Sequence, residues 1–133
     1  MGPAMKPVHV LTITALLSVL LGSFHLADDV VLRIEPGGSS NYIGIVITAV
    51  YLYAVLMLPN RRSAHAIVLL FSIGGAGVPY LHMQGVGMVG GRAANSTHMF
   101  FWVWTIMALG MTTIVSAVLA ANGLWNLRHG RRP

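Results

Sequence analysis

His25-x-x-Asp28-Asp29 sets one imidazole and two carboxyl groups at positions i, i+3 and i+4. On a helix these side chains share about one turn. Imidazole and carboxylate together are a donor set that suits Zn, Fe, Mn or Cu(II). With Glu35, Asp28 and Asp29 make up all the acidic residues of the chain. His82 and His98 stand at the ends of two other apolar segments. The expected chemistry is a divalent metal held by His25, Asp28, Asp29, His82 and His98. Arg33 and Arg92 would support it, and Glu35 could act beside it as a general base. Metal-activated water would make such a site catalytic. No substrate-binding pattern accompanies it, however, and metal handling fits the residues as well as an enzyme does. Met83, Met88 and Met99 would add soft ligands for Cu(I).

Two other accounts use the same residues. In one, Asp28, Asp29, Arg33, Arg92 and the histidines form a hydrogen-bond and ion-pair network that ties the loops to the helices. In the other, a haem lies between His25 and His82 or His98, or a quinone sits near Trp102, Trp104 and Tyr80. Three carboxyl groups beside a single histidine pair favour a hard cation over haem.

The elements that must position these groups are apolar helices. Hydrophobic residues make up 56% of the 133 and charged residues only 8%, against roughly 25% charged in a soluble domain. So few charges cannot clothe a soluble surface. A helix crossing a bilayer needs about 20 mainly apolar residues, and four windows qualify: about 8–27, with a helical extension toward Arg33 allowed, 42–58, 64–83 and 99–121. Ser63 and Ser96 are suitable N-caps for the third and fourth, and Gly123 is placed to end the last helix. The segments between are expected as outer loops at about 28–41 and 84–98 and an inner turn at 59–63. Pro36-Gly37-Gly38 turns the chain after the first helix. The Gly-rich stretch around Gly90-Gly91 is expected as a mobile loop or a lid.

Eight Lys and Arg against three acids could suggest nucleic acid, but the charges sort by loop instead. Lys6, Arg61, Arg62, Arg128, Arg131 and Arg132 fall on one side of a four-span arrangement, and Arg33 and Arg92 on the other. Positive residues favour the cytoplasmic side, which places both termini there. A cleaved leader ending near Ala27 is disfavoured by its long apolar run and by His25 at the −3 position. With no cysteine, disulfides and thiolate metal sites are excluded.

The expected fold is thus all-α: an integral membrane, up-down-up-down four-helix bundle forming one domain over 1–133. Helical spacing marks the inward faces. Thr14, Ser18, Gly22, His25 and Asp29 form a stripe on the first helix, and Gly44, Thr48 and Tyr51 on the second. Ser72, Gly75, Pro79 and His82 follow on the third, and His98, Trp102, Thr105, Leu109, Thr112 and Ser116 on the fourth. Small and hydroxylated residues of this kind line contacts between membrane helices. Pro79 should loosen the third helix. His9, His65 and His129 fall at the other end as interfacial residues. The partners implied are the lipid bilayer and either a second copy or a membrane protein, with the small residues Gly74–Gly77 as the best candidate face.

The segments "FHLADDVV", "IEPGG", "GAGVPYLHM", "GGR" and "FFWVWT" resemble those of small bacterial four-span membrane proteins of no established activity. The likeness covers most of the chain. It implies an inner-membrane four-helix protein and brings no functional residues with it.

Overall fold

The computed structural model describes residues 5–31, 39–83 and 97–130, without the side chains of 39–41, 83 and 97–99. Arg33, Glu35, Met88, Arg92, Ser96, Arg131 and Arg132 lie outside the described residues. So do the side chains of Met83, His98 and Met99, and most of the two expected outer loops. The described chain is all-helical: α1 (Pro7–Val31), α2 (Ser39–Met57), α3 (Arg62–Met83) and α4 (Thr97–Arg128). Residues 7–31, 62–82 and 100–128 form three helices long and apolar enough to cross a membrane, and Tyr42–Met57 is a shorter apolar helix. A helix satisfies its own backbone, which is what an apolar solvent demands.

The helix ends follow local rules, with departures from expectation at Ser63, which lies inside α3 rather than capping it, and at Gly123. Pro7 opens α1, where its missing N–H costs nothing, and the Lys6 carbonyl accepts from the amides of His9 and Val10 at 2.9 and 3.3 Å. α1 runs on to Val31, within the extension toward Arg33 that the sequence allows, and carries Asp28 and Asp29 in its last turns. Gly123 does not end α4, which continues to Arg128. The terminating glycine is Gly130, at φ +69°. Gly123 serves packing instead: it is buried, and a Cβ there would overlap the His65 ring.

Contacts between helices pair falling residue numbers with rising ones. Along α1 and α4, Asp29 meets Trp102, Ser18 meets Thr112 and Thr14 meets Ser116. Along α3 and α4, Pro79 lies on Gly110, Gly75 on Thr113 and His65 on Gly123. The Arg62 Nη2 donates to the Leu127 carbonyl at 2.9 Å. Glycine brings the backbones of α3 and α4 together, the close approach expected of membrane helices. Pro79 does not interrupt α3. The exposed faces are apolar, with Leu20, Val46, Leu70 and Val118 turned outward, a surface matched by lipid.

Inside, polar and apolar layers alternate. A hydroxyl layer contains the Ser18–Thr112, Ser116–Thr14 and Tyr51–Ser72 pairs, each at 3.0 Å. One turn toward the basic end, Leu11, Val55, Val68 and Ala120 form a buried apolar layer. Beyond it lies His65, only 1% exposed. The interfacial position expected for His65 is therefore corrected: its ring is buried beneath Gly123, and Nδ1–H donates to the Arg61 carbonyl at 3.1 Å. His9 and His129 are exposed.

The α3–α4 contact yields a direct check. A Cβ at Gly110 would stand 2.6 Å from Pro79 Cγ, whereas one at Gly74 would meet nothing within 4 Å. Gly110→Ala should destabilise the protein by about 1–3 kcal/mol through overpacking, and Gly74→Ala should not. Denaturant titration in detergent, followed by circular dichroism, measures both.

Candidate metal centre

Three helices meet around His25. It lies on the inward stripe of α1, one turn before Asp29, and faces His82 near the end of α3. The first turns of α4 bring Trp102 to the same place. Trp102, Asp29 and His25 are 2%, 4% and 6% exposed, and His82 is half-buried. His25 and His82 approach edge to face with ring centroids 4.7 Å apart, and Trp102 stacks on His82 at 5.3 Å.

The polar atoms are ordered by this packing. The Nε2 atoms of His25 and His82 are 2.9 Å apart, and His25 Nε2 is 3.4 Å from Asp29 Oδ2. A hydrogen bond between two imidazole nitrogens requires one of them to be bare, and a bare nitrogen is also what a metal needs. Trp102 Nε1–H donates to the other Asp29 oxygen, Oδ1, at 2.7 Å. The carboxyl group thus has one oxygen fixed by the indole and the other turned toward the histidines. Fixing one side of a ligand to aim the other is how outer partners tune metal sites.

One ligand atom each from His25, Asp29 and His82 all lie within 4.8 Å of one another, and this group could hold a metal ion. Bonds of about 2.0–2.1 Å in a tetrahedral arrangement set neighbouring ligand atoms about 3.3 Å apart. The 2.9 and 3.4 Å separations bracket that value. Side-chain rotation of a few tenths of an ångström, of the order ligand geometry tolerates, would open the first. Asp28 is half-buried and is not one of the three. Among the expected ligands, His98 enters at the first turn of α4, four residues before Trp102.

The sequence placed Trp102 in the seam and beside a quinone, and missed its bond to Asp29. Its spacing from Thr105 and Leu109 already put the indole on the inward face. The expected quinone site does not assemble, because Trp104 and Tyr80 are exposed while Trp102 is buried. Residues 102 and 104 are two apart, which on a helix means nearly opposite faces. Nor does the His25–His82 pair suit haem: ring centroids 4.7 Å apart leave no room for a macrocycle between them.

The other seam residues turn out to be largely self-contained. Thr48 and Thr105 donate to the carbonyls of Gly44 and Trp102 at 2.8 Å, within their own helices. Tyr51 and Ser72 bond each other across α2 and α3, and Ser18 reaches Thr112. Gly22 is half-buried, with Leu109 opposite.

No protein-family model, curated protein or solved structure matches this chain. The functional reading rests on the geometry of the site.

Removing the indole donor should be felt where removing a self-contained hydroxyl is not. Trp102→Phe should cost about 1.5–3 kcal/mol beyond its lost packing, as expected for a buried carboxyl losing a hydrogen bond. Thr105→Val should cost about 0.5–1.5 kcal/mol, the net worth of one neutral hydrogen bond to a helix carbonyl. Thermal unfolding in detergent compares the two.

Proposed function

We propose that this is a membrane protein that binds a divalent metal at one end of a four-helix bundle, through His25, Asp29 and His82. The observation that carries the reading is the cluster itself: two imidazole nitrogens 2.9 Å apart, and a carboxyl oxygen 3.4 Å from one of them. All three sit in an otherwise apolar protein, where ionisable groups face a partner or a cavity. His98 is proposed as a fourth ligand on sequence position alone, four residues before Trp102. Asp28 and Glu35 lie near enough in sequence to act on water or on an incoming ion. Two or three imidazoles with one carboxylate suit Zn, Fe, Mn or Cu.

Metal content by mass spectrometry on detergent-purified protein tests this. About one equivalent per chain is expected in the wild type, with loss in the His25→Ala, Asp29→Ala double variant at unchanged helical content. No metal in either protein, even after reloading with Zn, Mn, Fe and Cu, would overturn the reading. A specific observation favours a second one: the 2.9 Å His25–His82 contact is already a complete hydrogen bond. On that reading the cluster is a structural network joining α1, α3 and α4, and the empty result is its signature.

The same proposal includes four crossings in up-down-up-down order through a bacterial inner membrane, with both termini cytoplasmic. Its support is the pairwise helix contacts and the sorting of Lys6, Arg61, Arg62, Arg128, Arg131 and Arg132 away from Arg33 and Arg92. The metal end then faces outward. Because the chain has no cysteine, single replacements report sidedness cleanly. A membrane-impermeant maleimide applied to intact spheroplasts should label Val31→Cys and spare Ser63→Cys. The reverse pattern would invert the topology.

A further inference from the structure

The end of the bundle opposite the histidine cluster holds a different kind of site. Between the start of α1, the α2–α3 turn and the end of α4 lies a cavity of about 910 Å³. Its polar lining is Lys6, His9, Asn60 and Asn126. A smaller cavity of about 300 Å³ adjoins it, sharing Pro7, Val8 and Asn126 and reaching Asn122 and the buried His65. Amide donors, an ammonium and an imidazole converge here from three separate parts of the chain.

The charge at this end is unbalanced within the protein. Lys6, Arg61, Arg62 and Arg128 stand together, and the chain has only three acidic side chains. Asp28 and Asp29 lie at the far end of α1. With a rise of 1.5 Å per residue, the 22 residues from Lys6 to Asp28 span about 33 Å, far beyond the roughly 4 Å reach of an ion pair. Glu35 follows them in sequence. The helix dipoles leave this imbalance as it is, because α1 and α3 begin at this end while α2 and α4 finish there. Arg62 spends a donor on the Leu127 carbonyl, a neutral acceptor that leaves its charge uncompensated.

We infer that this cavity binds the phosphate of an anionic membrane lipid. Lys6 supplies the charge, Asn60 and Asn126 donate amide hydrogen bonds to phosphate oxygens, and the exposed apolar faces of α1 and α4 accept the acyl chains. The position suits a lipid headgroup, since Lys6 directly precedes the first residue of an apolar helix and the α2–α3 turn flanks it at the same level. Basic pockets between membrane helices are a recurring way of holding such headgroups. The site is independent of the metal centre and of which side of the membrane it faces.

Native mass spectrometry of the purified chain in neutral detergent tests the inference. The chain is titrated separately with phosphatidylglycerol, with phosphatidylcholine of the same acyl chains, and with inorganic phosphate. One phosphatidylglycerol should be retained per chain, in at least about fivefold preference over phosphatidylcholine, the factor expected from one basic residue at a headgroup. Lys6→Gln should reduce that preference about fivefold, and Asn126→Ala should weaken retention without changing helical content. Equal retention of the two lipids would overturn the inference on the wild type alone. So would preference unaffected by either substitution. Inorganic phosphate occupying the site as readily as the lipid would make it a soluble-anion site instead.

Discussion

A carboxyl group near the end of an apolar helix must find its hydrogen-bond donors within the protein. Asp29 does so through Trp102, and the other features of that end follow from this one bond. It draws the start of α4 against the end of α1. The indole so placed becomes a floor on which His82 stacks, and His82 then meets His25. The macrodipole of α1 disfavours negative charge at this position, so the donor is not ornamental. A neutral N–H supplies one donor to that carboxyl group.

The same constraint shapes the middle of the bundle. Hydroxyl groups there either return to a carbonyl one turn back, as Thr48, Thr105 and Thr113 do, or bond one another across helices. Glycine and proline set how closely α3 and α4 can approach. Where α3 and α4 touch through Gly75, Gly110 and Gly123, there is no room for a methyl group. α2 has no such contact with α3, and most of its large side chains, including Ile43, Val46, Val50 and Tyr53, are exposed. The bundle is therefore tight on one side and loose on the other.

Much of this was legible in the sequence because a helix in an apolar medium leaves a plain record. Four apolar segments, their approximate limits and the inward stripes of α1 and α3 follow from length and spacing. So does the convergence of His25, Asp29 and His82. What was missed has physical causes. Glycine often ends helices, which makes Gly123 read as a stop, yet the stripe Leu109, Thr112, Ser116 extends by the same steps through Ala120 to Gly123. That marks it as a contact. His65 was placed at the surface by its charge-bearing type, although running the stripe of Ser72 back through Val68 reaches it. Trp102 was assigned to packing or to a quinone, since no spacing rule says which acceptor an indole N–H will find. That depends on the axial offset between two helices distant in sequence.

The buried layer of Leu11, Val55, Val68 and Ala120 has an electrical consequence. Water and ions entering from the histidine end would meet hydroxyl groups as far as Tyr51 and then a stratum with nothing to solvate them. Among the described residues that stratum separates the histidine cluster from the basic cavity. An ion in either place has no polar side chain to carry it across the stratum, so a single copy of the chain acts as an insulator along its length.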